Sequence, residues 1–481
     1  MPRPQLPPDK NCDVLVLGGG LAGWRAAMAA LQAPQKKSFR PLKVMLATRE
    51  DAPSGASFAN RNRVLGMQVL KTDAAAMTFA ARAAAIAAPG WIDPRLVEQL
   101  AAASLSRFEE LHSLGLRFRS SVAGCFCPEL ATAVILEDLP GAYATLRDHC
   151  LRLGLDYQPG WNVADLLVDQ QGAVTGALLA NTRDNHPCVV SSKAVILALG
   201  GPAPLFRNNV TGPGNSGHGY GLLRRAGARL ANTGFLQWMW HEAPSGPFFP
   251  LQNLGTDAAL ILPQGEKLPL PPEIQALAAA RGAHCPFGYG FDDSRLDLFL
   301  SAHLDEAGAV CVESAGQQRR IAPMAHAGNG GAVVDSQGRT SVPGLFACGE
   351  CATGMHGANR IGGAMVLATQ VFGEAAGRAA AGHAFSLDRP NRQLPLGVGT
   401  FSLSAAPSHS DQLLREWLHN AMQRHVSLGG FYNFQQFYAE LCEIAQKEYH
   451  WALNLDVQSA LVVAEGLTST TVASTGATKD P

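Results

Sequence analysis

Between Val342 and Gly363 the chain reads Val-Pro-Gly-Leu-Phe-Ala-Cys-Gly-Glu-Cys-Ala-Thr-Gly-Met-His-Gly-Ala-Asn-Arg-Ile-Gly-Gly. One acid, Glu350, one histidine, His356, and one arginine, Arg360, stand there among glycines. Glycine admits a ligand close to backbone N–H groups. A carboxylate such as Glu350 accepts hydrogen bonds from sugar hydroxyls, and a guanidinium such as Arg360 holds a carboxylate with a two-pronged fork. Gly349 and Glu350 are candidates for a cofactor grip. His356 and Arg360 are candidates for an anion grip. A second chemical stretch lies near the N-terminus. The apolar run Asp13-Val-Leu-Val-Leu17 feeds Gly18-Gly-Gly-Leu-Ala-Gly23 and then an Ala-rich segment to about Leu31. Gly18 suits the tight turn, Gly20 the approach of a pyrophosphate, and Gly23 the packing of helix on strand. Leu21 and Ala22 open the helix whose N-terminus faces the phosphates. A dinucleotide cofactor is what this strand–glycine–helix unit supports.

The elements that must position these groups follow from the pattern along the chain. Lys43 to Ala47 reads as a second strand, with no ribose-binding acid at its tip. Thr48 can take that place, and Arg49 can lie along adenine or a phosphate. Ser54 to Gly66 reads as a polar loop beside the cofactor, with Ser57 in reach. Asp93-Pro94 signals a helix start, and Leu96, Val97, Leu100, Leu105, Phe108 and Leu111 follow at helical spacing as core. Tyr143 to Leu153 reads as a helix closed by Gly154. Strands are expected at Asn162–Val168, Ala173–Leu179 and Lys193–Leu199, the last running into Gly200-Gly201, a second close approach to the cofactor. Gly214 to Gly219 opens a helix to Ala228, with His218 either a helix-start polar residue or a cofactor neighbour. Texture changes from His241 to Arg320, where prolines and turns mark an inserted domain with helices near 272–281 and 293–304. A strand at Gly331–Asp335 leads into the Glu350 stretch, and a helix follows at Val366–Ala381.

The division expected is a disordered leader at 1–10, a cofactor domain at 11–240 and 321–387, an inserted domain at 241–320, a helical region at 405–467 and a flexible tail at 468–481.

Composition bounds the rest. The chain has 481 residues, room for about three domains. Hydrophobic residues make up 47% and charged residues 16%, which builds large cores and excludes a disordered chain. The formal net charge is −1 with no basic block, so nucleic acid is not an expected partner. The first ten residues lack the apolar core of a secretory signal, and the Ala-rich run 74–88 carries Arg82 and is too short to span a bilayer. A cytoplasmic protein without direct membrane insertion is expected. The ten cysteines are scattered, as in a reduced protein. Cys125-Phe-Cys127 has no second ligand pair at metal-site spacing, so no metal is expected. Cys348-Gly-Glu-Cys351 has redox spacing but falls inside the glycine-rich motif, where small residues are usual, so its dithiol reading is the weaker one.

Taken together these residues resemble the fumarate reductase/succinate dehydrogenase flavoprotein family, which includes L-aspartate oxidase. Gly18–Gly23 is similar to the family's FAD pyrophosphate loop, and Leu197-Ala-Leu-Gly-Gly201 to its "ATGG" strand end. Ile321-Ala-Pro-Met-Ala-His326-Ala-Gly-Asn-Gly-Gly331 resembles its substrate-binding histidine followed by a Gly-Gly turn. His356-Gly-Ala-Asn-Arg360-Ile-Gly-Gly363 is nearly its "HGANRLGG", whose arginine grips the substrate carboxylate. The resemblance implies an α/β fold: a Rossmann-like FAD domain split by an inserted capping domain, with a C-terminal helical region. It implies hydride exchange between flavin N5 and a small carboxylate, fumarate- or succinate-like or an amino dicarboxylate. His326, His356 and Arg360 would bind that substrate, and His326 and Arg360 would act in catalysis.

The sequence also departs from the family. Its first substrate histidine, in "FVQFH", aligns with Met239 of Phe235-Leu-Gln-Trp-Met239; His241 lies two residues on. Its acid arginine, in an "RGEGG" turn, has no counterpart in Leu254–Leu260; Arg281 is the alternative. The proton carrier therefore stays open between His241, Arg281 and water. The FAD-contacting Asp of "TGDG" becomes His218, and Met365, beside Val366 at the cofactor, stands where the family uses a small polar residue near the flavin. Ser54 to Asn60 offers no acceptor for covalent flavin, so noncovalent FAD is expected. Three functions remain in view: the carboxylate oxidoreductase, an L-aspartate-oxidase-like enzyme, and an FAD-binding subunit working with an electron-transfer partner.

Overall fold

The computed structural model describes residues 9–34, 41–120, 126–130, 132–255, 257–387, 406–429 and 433–475. The expected linker at 388–404 lies outside them, as do Cys125, the first eight residues of the leader and the last six of the tail.

The chain opens with β1 (Lys10–Leu17), α1 (Leu21–Leu31) and β2 (Val44–Thr48). The loop expected at Ser54–Gly66 carries a short helix, α2 (Gly55–Phe58), and leads into β3 (Leu65–Gln68). Then come α3 (Asp73–Ala85), α4 (Pro94–Ala102), α5 (Ser104–Ser113), β4 (Phe118–Ser120), β5 (Ala133–Leu136) and α6 (Leu139–Arg152). Asp93 caps α4 as its sequence suggests, its carboxylate accepting the Arg95 N–H at 3.0 Å. Leu96, Val97, Leu100 and Leu111 are buried; Leu105 and Phe108 are only half-buried, because the chain breaks into two helices at Ala103.

Next follow β6 (Asp156–Pro159), β7 (Trp161–Val168), β8 (Val174–Asn181), β9 (Pro187–Leu197), α7 (Gly219–Arg225), β10 (Leu230–Ala231) and β11 (Leu236–Glu242). The inserted region holds β12 (Ala259–Ile261), β13 (Lys267–Pro269), α8 (Pro272–Ala280), α9 (Ser294–Ser301), β14 (Val310–Ser314) and β15 (Gln317–Gly328). The chain closes with β16 (Gly331–Val333), β17 (Leu345–Ala347), β18 (Ala352–Thr353), α10 (Ala364–Ser386), α11 (His409–Val426), α12 (Phe434–Ile444) and α13 (Trp451–Thr475). Residues 468–475 thus continue α13 instead of starting a tail, and Lys10 belongs to β1 instead of a leader.

The main sheet runs β6-β2-β1-β9-β8-β7, with β17 also on β9. Strands β2, β1, β9 and β17 are parallel and in step: Leu17 lies opposite Ala47 and Leu197, and Leu197 opposite Ala347. Their carboxyl ends are therefore level. In an open parallel sheet that edge is where ligands bind. At about 4.8 Å between strands, the four ends span about 14 Å. Helix α1 covers one face and packs on α10, where Gly373 and Gly377 let the backbones close: an added Cβ would lie 2.9 Å from the Ala22 oxygen and 2.2 Å from that of Ala26.

A second sheet, β11-β15-β14-β12-β13, carries its own apolar core with α8, α9 and the C-terminal helices. It starts at Leu236 and ends at Gly328, a few residues outside the expected boundaries of 241 and 320, because β11 and β15 pair along their whole length. Among the described residues no helix is long and apolar enough to cross a membrane.

Candidate active site

Loops from the level strand ends converge on one cleft, which runs from the β1 turn to His326 and Arg360. Gly18, Gly20, Leu21 and Ala22 line it after β1, Thr48 and Arg49 after β2, Gly200 after β9, and Gly349 and Glu350 after β17. Ser57 lines it from α2, and Met365 and Val366 from the start of α10. His326 and Arg360 stand in the same cleft.

The phosphate end is a backbone construction. Gly18 has φ +113°, and a Cβ there would lie 2.3 Å from the Ala198 oxygen. Gly23 does not line the cleft; it lets α1 approach the turn, its hypothetical Cβ being 1.9 Å from the Gly18 oxygen. Gly20 is the N-cap of α1 and offers no capping side chain, and no acid occupies the first turn. Of the N-terminal N–H groups, that of Leu21 donates to Ser57 Oγ at 3.1 Å. The end is electropositive and open to an anion.

Midway along the cleft, Glu350 accepts the Gly328 N–H at 2.9 Å and the N–H of Gly201. Gly201 serves Glu350 and not the cleft directly: a Cβ there would lie 2.3 Å from the carboxylate. Burial raises the Glu350 pKa, against the lowering effect of those N–H groups and of Arg360.

At the far end, Gln237 Oε1 accepts from Arg360 Nη2, and Gln237 Nε2 donates to the Arg360 carbonyl at 3.3 Å, joining β11 to a loop 123 residues away. His326 faces them because β15 bulges. Gln237 opposes Ala327 and Trp238 opposes Ala325, leaving His326 as the extra residue. A bulge re-aims a side chain in this way. His326 Nδ1 has no hydrogen-bond partner among the described residues. Burial first, then the charge of Arg360 and the neighbouring His241, lower its pKa to about 3, so the imidazole is neutral near pH 7.

Four expected residues lie elsewhere. His218 does not line the cleft; its Nε2 lies 2.9 Å from Asp456 Oδ1 of the C-terminal helix, so its side chain is engaged with α13. His241 is buried beyond Met239 on the same face of β11, does not line the cleft, and is neutral because burial lowers its pKa. His356 is buried near Arg360 but off the cleft, its pKa lowered well below the ordinary value by burial and then by that guanidinium. Arg281 is locked inside the inserted region: Nη1 lies 3.1 Å from Asp297 Oδ2 and Nη2 donates to the Cys285 carbonyl at 3.0 Å. Asp297 also accepts from Trp240 Nε1 at 2.9 Å. Held there, Arg281 does not line the cleft.

Sequence reasoning passed over Gln237, Asn60, Asn215 and Pro286, all of which line the cleft. Gln237 stood in the Phe235–Met239 stretch, but its role depends on a partner from a distant loop. The two cysteines of the C-x-x-C part company: Cys348 Sγ points to the Ala22 carbonyl at 3.8 Å and Cys351 Sγ to that of Gly200 at 3.4 Å. Burial raises both thiol pKa values, that of Cys351 to about 12, so neither is a ready thiolate.

Residues 13–246 and 281–366 match the FAD binding domain family. The chain belongs to the fumarate reductase/succinate dehydrogenase family of FAD flavoproteins. It is 31% identical over 402 residues to an L-aspartate oxidase of Caulobacter vibrioides, covering 76% of each chain. It is 26% identical over 431 residues to a fumarate reductase (CoM/CoB) chain of Methanothermobacter marburgensis, covering 79% of this chain and 74% of that one. In fold it is similar to the Mycobacterium smegmatis Sdh1 complex, with a TM-score of 0.71 at 21% identity over 95% of this chain and 86% of that one. It is also similar to E. coli quinol fumarate reductase FrdA, with a TM-score of 0.67 at 19% identity over 96% and 88%. The flavoprotein is thus an FAD-dependent oxidoreductase with the fold its sequence implied. Its residues fit the cofactor: an uncapped helix start for the pyrophosphate, a threonine at the β2 tip, and a seated carboxylate at Glu350.

Proposed function

We propose that this flavoprotein exchanges a hydride with a small carboxylate bound where His326, Gln237 and Arg360 meet. The carrying observation is that grouping at one end of the cofactor cleft. FAD, when bound, supplies a two-electron hydride donor and acceptor. Gly18, Gly20, Leu21, Ala22, Thr48, Arg49 and Ser57 would hold its pyrophosphate and adenosine half, and Gly200, Gly349, Glu350, Met365 and Val366 the rest.

Arg360 has five N–H donors. One goes to Gln237, which orients the guanidinium, and the charge of Arg360 in the cleft would attract a substrate carboxylate. This orients the reacting carbon and supplies charge in a partly desolvated site. His326, neutral in the free enzyme, would hydrogen-bond the substrate, and the proton of the reaction would pass to and from water. The side chains of the inserted region, Pro286 among them, help exclude water from this end.

Fumarate, succinate and aspartate are the first compounds to test, since relatives carry the names L-aspartate oxidase and fumarate reductase. The L-aspartate-oxidase-like reading is favoured by the number of relatives with that name at 28–31% identity. A protein without carboxylate chemistry of its own, passing electrons with a partner, is favoured by one feature: at the His326 end, Arg360 is the single cation lining the cleft among the described residues. We also infer that FAD is noncovalent, since α2 and its flanks present only Ser, Gly, Ala and Asn to the cleft.

The test is the flavin absorbance of the purified holoprotein. Bleaching by succinate or aspartate, or reoxidation of the reduced flavin by fumarate, supports the enzyme. Flavin that no carboxylate changes, with other chains co-purifying, supports the module.

A further inference from the structure

Strand β11 sets three side chains in a row on the face opposite Trp238 and Trp240: Gln237, Met239 and His241. At about 3.4 Å per residue they are spaced by about 7 Å. Gln237 binds Arg360. Met239 lines the cleft next and is only half-buried. His241 comes third, buried and off the cleft, its ring edge on Phe248 at 5.8 Å and its Nε2 without a partner among the described residues. Met239 therefore stands between the cleft and His241, the third polar position on this face of the strand. Pro286 closes in from the inserted region, and Val210 and Ala327 complete this wall. Arg61 lies near His241 but is exposed on its loop and does not line the cleft.

Resting on the proposed carboxylate chemistry, we propose that the site selects substrates with one carboxylate and an uncharged remainder: Arg360 takes the carboxylate and Met239 with Pro286 takes the rest. Isolating a second carboxylate against a thioether and a proline ring is unfavourable, because nothing there replaces its hydration. A thioether accepts an ester, amide or alkyl group without that cost. Met239 is then a specificity-determining residue, and its identity decides between monocarboxylates and dicarboxylates.

The experiment compares fumarate with monomethyl fumarate, which share one alkene and differ by a single ester. Reduced holoenzyme is mixed anaerobically with each, and flavin reoxidation is followed. The alkene gains a hydride from the reduced flavin at one carbon and a proton at the other; its π bond breaks as the flavin is oxidised. The expected result is a kcat/KM at least about tenfold higher for the monoester. Met239→Leu should keep that ratio and Met239→His should bring it to or below unity, with bound FAD measured in each variant to verify folding. A preference for fumarate in the unaltered enzyme, or a Met239→His ratio equal to that of Met239→Leu at equal FAD content, overturns the inference and leaves the proposed function standing. Reoxidation by neither compound overturns this inference, and the proposed function falls with it only where succinate and aspartate also leave the flavin unbleached.

Discussion

Replacing Gly23 by Ala tests how the cofactor turn is held. The added methyl would lie 1.9 Å from the Gly18 oxygen, where real Cβ atoms stay beyond 3.0 Å, so helix and turn must part by at least about 1.1 Å. The helix cannot retreat. Its residues Leu21 to Ala30 are all buried, and on its far side Gly373 and Gly377 of α10 already touch it backbone to backbone. The turn must give instead, and it carries the N–H groups proposed to meet the pyrophosphate. Overpacking costs about 1–3 kcal/mol, and with backbone on both sides the upper figure applies. If most of that strain is relieved only when FAD leaves, the FAD dissociation constant rises about 100-fold. FAD content after desalting, fluorescence titration of the apoprotein and thermal melting would report it. A Gly23→Ala protein with full FAD content, a dissociation constant within about twofold of the parent and an unchanged Tm would refute the argument. Gly382→Ala is the control: it lies inside α10 with nothing within 4 Å of its Cβ, and should stabilise by about 0.5–1 kcal/mol.

Arg360→Gln should lower kcat/KM for any carboxylate by about 30-fold or more while FAD stays bound, since it removes the charged member of a buried pair; steady-state flavin reoxidation measures it. His326 is buried neutral, with its pKa lowered from 6.5 to about 3. The unfolded chain therefore binds a proton there that the folded chain does not, and stability falls as pH drops below about 6.5, by about 1.4 kcal/mol per pH unit. Urea melts at about pH 7.5 and about pH 5.5 should show this loss, and His326→Gln should reduce it. Asp297→Ala should destabilise by about 3–5 kcal/mol, because it leaves Arg281 buried without its main partner. Arg281→Met should leave the pH profile of turnover unchanged; a lost limb in that profile would return Arg281 to the chemistry.

Local chemistry made part of this molecule legible. The β1–glycine–α1 unit reads directly, because a tight turn, a close backbone approach and a helix start each demand a residue type at a fixed offset. The same holds for Asp93-Pro94, for Gly154 beyond α6, and for the glycines around Glu350. Family resemblance carried FAD and the split α/β fold, which the match to the FAD binding domain family bears out. Cleft-lining groups that lie directly at strand ends, such as Thr48, Gly200 and Glu350, could be named from their position in the pattern.

Tertiary structure decided the rest, for reasons of facing and long-range pairing. His241 and Met239 share a face of β11, yet only Met239 reaches the cleft, because the wall ends between them. One residue's slip in β15 places His326 at a bulge and turns it toward Arg360. His218 belongs to Asp456, 238 residues on, and Arg281 to Asp297 across the turn between α8 and α9. In the sequence these histidines and arginines stand as equals. The sequence alone determined the cofactor turn, since its requirements are satisfied within a few residues. Only the fold decided which cations face the substrate, since that depends on side-chain parity, one bulge and partners far along the chain.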